Sequence, residues 1–417
     1  MEKRRVVITG MGAVSPLGHN VGELWNAIKN CKCGIERITL FDPTSNPVQI
    51  AAEVKNFNPA DHGISPKKAS RMGRFTQFLL AASHEAVRDA NLSREILEDE
   101  KTGVIAGSAI GGMDVIDQSF NLYVESGKRK ISPFDVARLI PNECVANVSM
   151  ELGITGCAWV VSSACASGTD AVGTALKAIR YGDLDVCLAG GAESCVTDYA
   201  IKGFASMRAL TTHFNDCPQK ASRPFDKARS GFVMGEGGAV LVLEELEHAK
   251  ARGAKIYAEL AGYGASADAY HITSPRPNGD MCARAVRHAL RDAGVLAEDV
   301  DYYNAHGTST VMNDSTESQM LLNVFGNHAK MKMKISSTKG MTGHCIGAAG
   351  ALEAVVSTMA IHDSFYPANI NCDNQDEACD INLVDGKGFA GNIDCAVSAS
   401  LGFGGHNGAL VLKKFKG

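Results

Sequence analysis

Short apolar runs rich in Val, Ile, Leu and Ala recur along the chain, separated by longer Ala-rich stretches with helical spacing. The first part carries "RRVVITG", "KTGVIAGS", "CAWVVSS", "DVCLAGG" and "GAVLVLEE". The second carries "AKIYAELAGYGAS", "DYYNAHG", "KISSTKG", "CAVSASLGFGG" and "GALVLKKF". Strands that alternate with helices need crossover connections, so the pattern predicts an α/β chain with parallel or mixed sheets covered on both faces. At the start, the pattern predicts a strand over 4–9 and then a turn at Gly10 and Gly12.

The two parts match in outline. Cys165 heads "ASGTDAVGTALKAIRYGD", and His344 heads "CIGAAGALEAVVSTMAIHDS"; a glycine follows each by three residues, at Gly168 and Gly347. A boundary near 250–256 divides the chain into halves 1–253 and 254–417. The segment 203–238 holds too many turn residues for one regular element, and irregular stretches of that length are usually functional.

Composition narrows the picture. The 417 residues suffice for two or three ordinary domains or one large double-core unit. With 45% hydrophobic and 21% charged residues, and no apolar run long enough to span a bilayer, the expectation is a soluble protein without membrane insertion. The basic and apolar start "MEKRRVVITGMG" is too short and too glycine-punctuated for an export signal. Thirteen cysteines, odd in number and scattered through apolar segments, suit a reducing cytoplasm, and Cys31 and Cys33 lack a second ligand pair for a metal. A net charge of −5 argues against nucleic acid as a partner. Locally, Lys67, Lys68, Arg71 and Arg74 cluster at helix-like spacing, which suits either a solvated face or an acidic partner.

The candidate chemistry centres on "VSSACASGTDAV". A strand ending in "VVSS", a tight turn and a helix starting near Thr169 place Cys165 at a helix N-terminus, where the dipole favours thiolate and lowers the pKa. Small neighbours leave room for a substrate. Two histidines sit in glycine-flanked motifs after β-like runs, His306 in "NAHGTST" and His344 in "KGMTGHCIGAAG". Lys339, Asp314 and Glu317 are candidate ionic partners, and "LGFGGHN" reads either as a ligand-cradling turn or as a plain turn before the last strand. "GMGAVSPLG" lacks the third glycine of a dinucleotide fingerprint, and no G-x-S-x-G, H-E-x-x-H or phosphate loop is present.

In this order, "ACASG", "NAHGTST", "KGMTGHCIGAAG" and "GFGGHN" resemble the β-ketoacyl-acyl-carrier-protein synthases over essentially the whole chain, most closely the elongating synthase II branch. The resemblance implies the duplicated five-layer αβαβα thiolase fold, a homodimer and a cytoplasmic place in fatty-acid synthesis. It implies decarboxylative Claisen condensation of an acyl-enzyme thioester with malonyl-acyl-carrier-protein, lengthening the chain by two carbons. No metal or organic cofactor is then required, and substrates arrive on the phosphopantetheine of acyl carrier protein.

Residue by residue, the resemblance makes Cys165 the nucleophile of a Cys-His-His triad with His306 and His344, supported by Lys339, Asp314 and Glu317. Phe403 becomes gate and backbone oxyanion donor together with the amide of Cys165. Thr308 and Thr310 match pantetheine-binding positions, Ile110 and Phe204 acyl-pocket positions, and Lys67, Arg71 and Arg208 carrier-protein contacts. A monovalent cation is implied near Asn304 and Glu353, although Ala399 stands where many members have asparagine, and Leu401 replaces a common phenylalanine. Three rival readings are a coenzyme-A-dependent thiolase using Cys345, a noncatalytic chain-length partner, and a condensing synthase of a specialised polyketide or other acyl pathway. The first lacks a matching second cysteine position, and the second lacks the cysteine that this chain keeps.

Overall fold

The computed structural model describes residues 3–126 and 131–417. Its main sheet has ten strands: β1 (Val6–Val14), β2 (Thr102–Gly107), β3 (Ala158–Val161), β4 (Val186–Glu193), β5 (Gly237–Glu245), β6 (Ala258–Ala267), β7 (Tyr302–Asn304), β8 (Lys334–Ser336), β9 (Cys395–Gly402) and β10 (His406–Lys413). The helices that cover it are α1 (Arg74–Asp89), α2 (Glu143–Leu152), α3 (Ser167–Tyr181), α4 (Asp280–Ala293), α5 (Val311–Phe325) and α6 (Ala349–Asp363). In both halves these elements follow one another as β-α-β-α-β-α-β-β.

The spatial order is β3-β2-β4-β5-β1-β6-β10-β9-β7-β8. From either outer edge it reads third, second, fourth, fifth, first strand of that half. The fifth strand of each half runs antiparallel to its neighbours in that half, and the second to fourth are parallel. The halves join edge to edge where Val7 pairs with Glu259 and Ile8 with Ala258. Helices α3 and α6 pack against strands of both halves and form the middle layer; α1 and α2 cover the outer face of the first half, and α4 with α5 that of the second. This is the duplicated five-layer thiolase fold. Helix α6 is buried nearly all round, which explains why its sequence is apolar without a polar stripe.

Strand β1 corrects the predicted turn. It begins at Val6 and runs through both glycines to Val14, with a register shift between Ile8 and Gly10. The glycines are there for packing: a Cβ on Gly10 would stand 2.5 Å from the Ala86 carbonyl oxygen, and one on Gly12 would overlap that of Ala82. Helix α1 therefore lies with its backbone directly on the strand. The second half repeats the device, with Gly262 and Gly264 of β6 against Ala289 and Ala285 of α4. The chain turns only afterwards, where the Ser15 amide donates to the Gly18 carbonyl at 2.8 Å.

Two other expectations shift. Helix α3 starts at Ser167 rather than near Thr169. The basic segment 67–74 is not one helix: a short helix, Pro66–Ala69, ends before Gly73 caps α1, and Arg74 turns inward to pair with buried Glu236 at 2.7 Å. The segment 203–238 contains the end of helix Asp198–Ser206 and a 3₁₀ turn at Pro218–Lys220, and is otherwise irregular up to β5.

The strand glycines give a paired test. Gly12→Val and Gly264→Val must each push a helix off its strand, so each lowers unfolding free energy by about 1–3 kcal/mol or more, read from urea denaturation midpoints. Equal tolerance of both would contradict the packing.

Candidate active site

The turn that carries Cys165 is built between β3 and α3. Ala164 takes φ +52°, a left-handed conformation that a residue with a Cβ adopts only when its surroundings enforce it. Ser167 Oγ enforces it by accepting the Ser163 N–H at 2.9 Å and donating to the Ala164 carbonyl at 2.6 Å. Ser163 Oγ donates to Asp170 at 2.5 Å, tying the turn to the first turn of α3. Cys165 is thereby held buried at the helix N-terminus.

Its resting pKa goes against the expectation of a lowered value. Burial pushes the Cys165 thiol up to about 11, while the Phe403 N–H and the nearby charge of Lys339 pull it the other way. Loss of water outweighs the stabilising groups, so the free sulfur is protonated at neutral pH.

His306 follows β7, and its position is set by α5. Glu317 accepts the His306 N–H at 2.8 Å and the Gly307 N–H at 2.7 Å, one on each oxygen. Asp314 accepts the Phe225 N–H at 2.9 Å and the Ser309 N–H at 3.2 Å, and lies 3.6 Å from Arg229 Nε. These two carboxylates act on the backbone under the histidine. Burial pushes Glu317 up to about 7 against the two N–H groups, and raises Asp314 too.

His344 is strapped to the other half. Its N–H donates to the Val233 carbonyl at 2.8 Å, and its carbonyl accepts from Gly235 at 2.9 Å. Its ring meets Phe232 edge-on at 5.2 Å and His306 edge-on at 5.2 Å. Burial pulls both imidazoles well below the ordinary histidine value, and the Lys339 charge adds to that, so both are neutral. The ion-pair partner of Lys339 is Glu353 on α6, one of the two residues at the implied cation position, rather than Asp314 or Glu317; both side chains are buried.

These groups share one cavity of about 290 Å³, lined by Cys165, His306, His344, Phe232, Phe204 and Phe403. Thr308, Thr310 and exposed Arg208 also line it, and the two threonine hydroxyls are 3.0 Å apart. Phe204 and Phe403 stack at 6.3 Å. The β9–β10 hairpin brings Phe403 over the sulfur, and Gly402 keeps that approach open, since a Cβ there would stand 3.2 Å from the Cys165 amide nitrogen.

Not every expected residue reaches the cavity. Ile110 lies behind it, in an apolar cluster with Phe204, Phe232 and Ile346. Lys67 and Arg71 are exposed, the Arg71 guanidinium lying 4.9 Å over the Phe134 ring. Leu401 lines the cavity, and Ala399 packs in the apolar core of the second half. Cys345 lies apart from it, buried with its thiol on the Glu236 carbonyl at 3.4 Å. At the implied cation position, Asn304 Oδ1, Glu353 Oε2 and Ser398 Oγ are buried with no hydrogen-bond partner among the described residues, and Asn304 and Ser398 are register partners on β7 and β9. Oxygen acceptors left unpaired there fit a monovalent cation.

Sequence reasoning missed Phe232, Gly402 and Glu193. Phe232 carries no motif and enters through the irregular segment before β5, while Gly402 stands at the end of β9 inside "LGFGGHN", a motif in which Phe403 alone was given a role. Glu193, at the end of β4, was visible only as one acidic residue in "LAGGAES".

Comparison with known proteins places the chain. Family models match it twice, Beta-ketoacyl synthase, N-terminal domain over residues 3–249 and Beta-ketoacyl synthase, C-terminal domain over residues 257–373. It is 47% identical over 416 residues to a Staphylococcus aureus (strain COL) protein named 3-oxoacyl-[acyl-carrier-protein] synthase 2, covering 100% of this chain and 99% of that one. A solved Beta-ketoacyl synthase from Burkholderia phymatum STM815 superposes with a TM-score of 0.91 at 37% identity, covering 99% of this chain and 100% of that one. So does a type II PKS ketosynthase solved in complex with its acyl-carrier protein, with a TM-score of 0.91, 33% identity and the same coverage. Full-length identity at this level, on the same fold, leaves one conclusion: the chain belongs to the β-ketoacyl synthase family.

Proposed function

We propose that the protein is a 3-oxoacyl-acyl-carrier-protein synthase that lengthens fatty acyl chains by two carbons, with Cys165 as nucleophile. The observation that carries this reading is the meeting of one thiol, two neutral imidazoles and a backbone N–H in a single buried cavity. The 47% identity to a synthase 2, against 33% to a type II PKS ketosynthase, supports fatty-acid rather than polyketide elongation.

In the first half-reaction the Cys165 sulfur attacks the acyl thioester, its proton passing by way of a neutral imidazole to the departing pantetheine thiol. Acylation frees the Phe403 N–H from the sulfur, so it and the Cys165 N–H can hold the carbonyl oxygen. In the second, malonyl-carrier loses CO₂, and the N–H groups of His306 and His344 stabilise the enolate oxygen. The enolate carbon bonds to the acyl carbonyl, the tetrahedral oxyanion collapses, and Cys165 leaves as thiolate and regains a proton. Burial, reinforced by the charge of Lys339 that Glu353 holds in place, keeps both imidazoles neutral, so each has one N–H to donate and one lone pair.

Thr308 and Thr310 offer hydroxyls to the amides of the pantetheine arm at the cavity's entrance. Arg208, Lys67 and Arg71 supply positive charge for an acidic carrier protein, a partner of the kind bound by the type II PKS ketosynthase. Asn304, Glu353 and Ser398 would hold a monovalent cation that neutralises the unpaired carboxylate oxygen beneath Lys339. Among the described residues no helix is long and apolar enough to cross a membrane, and the thirteen free cysteines suit a cytoplasmic enzyme. A homodimer would cover β3, an edge strand that exposes Trp159, and the exposed Phe120 and Val124 of helix Met113–Ser126.

Cys165→Ala lowers condensation at least about a thousandfold, and mass spectrometry of the intact protein finds no acyl adduct; an adduct on that variant would show that another residue is the nucleophile. His306→Ala and His344→Ala each slow CO₂ release from malonyl-carrier about 10²–10³-fold while acyl loading of Cys165 persists. Both imidazoles titrate well below the ordinary value in the folded state, so protonation favours unfolding. Stability therefore falls as pH drops below about 6.5, and His306→Gln or His344→Gln flattens that slope in urea titrations at graded pH. Arg208→Glu raises KM for acyl-carrier about tenfold at low salt, with kcat nearly unchanged; the same shift in kcat would contradict a docking role.

A further inference from the structure

One carboxylate in the molecule is held by more donors than its place in the sheet requires. Glu193 ends β4, and its side chain is fully buried. Its Oε2 accepts the Ala109 N–H at 2.7 Å and the Gly347 N–H at 3.2 Å. Its Oε1 accepts the Gly111 N–H at 3.0 Å, Ser108 Oγ at 3.2 Å and the Ile110 N–H at 3.3 Å. The Cys195 thiol also donates to it. Every partner is a donor, and together these bonds favour the carboxylate against the burial that raises its pKa.

The donors come from two places that are remote in sequence. One is the loop 108–111, whose Ile110 joins the apolar cluster that includes Phe232 and Phe204 of the cavity wall and Ile346. The other is Gly347, three residues after His344. A Cβ on Gly347 would stand 2.5 Å from Glu193 Oε2 and 2.6 Å from the Ala109 amide nitrogen, so glycine is what lets the two segments meet over one carboxylate. The end of β2 that leads into this loop sits on the start of α3, because a Cβ on Gly107 would overlap the Ser167 backbone. An acyl chain extending from Cys165 past Phe204 and Phe232 would run toward the apolar cluster that holds Ile110, and the backbone of Ile110 is linked through Glu193 to the turn carrying His344.

We propose that Glu193 is a positioning residue that ties the apolar wall at loop 108–111 to the His344 turn, so that the length of the acyl chain on Cys165 is felt at the imidazole that promotes decarboxylation. This rests on the proposed reaction and adds to it a specificity device. Replacing the carboxylate by an amide leaves one acceptor and turns an NH₂ toward N–H groups, which loosens both segments at once.

The test separates the half-reactions in the full-length protein. Hexanoyl- and tetradecanoyl-carrier are compared for acyl loading of Cys165 by mass spectrometry, for CO₂ release from malonyl-carrier, and for condensation. Glu193→Gln is expected to leave loading within about threefold and to slow CO₂ release about ten- to hundredfold. It is also expected to change the ratio of condensation rates for the two lengths about tenfold or more. Ser108→Ala, which removes one donor and leaves a small side chain, should move the same two quantities in the same direction by about two- to threefold, and it decides the matter if Glu193→Gln does not fold. Losses that are equal for both lengths and both half-reactions, or no change at all, overturn the proposal. An unvaried protein that forms no acyl-enzyme would instead overturn the reaction on which it rests.

Discussion

The structure depends on the approach of two helix N-termini in its middle layer. Helices α3 and α6 cross so closely that a Cβ on Gly168 would stand 2.8 Å from the Ala351 amide nitrogen and 2.9 Å from the Gly347 carbonyl oxygen. On Gly350 a Cβ would overlap Thr169. Gly191 of β4 completes the junction, within 3.0 Å of the Gly347 and Gly107 carbonyl oxygens by the same measure. Because α3 starts two residues after Cys165 and α6 five residues after His344, this contact brings both side chains to one cavity from segments far apart in the chain. Interiors pack too densely to absorb even one extra methyl at such points.

The same junction dictates the electrostatics. The groups that surround the cavity are buried in a five-layer molecule, and a buried charge is stable only with partners. The carboxylates around the cavity are accordingly occupied: Glu317 with two backbone amides under His306, Asp314 with two more and Arg229, Glu353 with Lys339, and Asp268 in the cavity wall with the Arg276 N–H and the Asn407 amide. What remains without partners is informative. His306 Nδ1 and His344 Nδ1 are buried and unpaired among the described residues, as are the three oxygens at Asn304, Glu353 and Ser398. Desolvation thus both raises the thiol and keeps the imidazoles neutral, giving a resting cavity with reactive groups but little net charge on them.

Much of this was legible in the residues. The alternation of strands and helices, the Cys165 turn, the two glycine-flanked histidines and the "GFGG" hairpin are local features, and local spacing encodes them. The repeat was legible too, though its clearest marks went unread: "GMGA" in β1 and "GYGA" in β6, each facing alanines spaced by four, which a turn reading of glycine conceals. Gly10 and Gly12 look like chain-turning residues until a helix is laid on them. Arg74 likewise looks like one of four surface cations until Gly73 breaks the helix and turns it onto Glu236.

By itself the chain determined which elements form and which residues are candidates for chemistry, because helix starts, strand runs and glycine-flanked side chains are set by neighbours in sequence. Only the tertiary structure decided what those residues experience. The thiol of Cys165 is raised rather than lowered because its burial comes from both halves at once, and Lys339 pairs with Glu353 because α6 runs beside it in the middle layer. Charge, dielectric and hydrogen-bond partners are properties of a place. In this molecule that place exists only where the two halves meet.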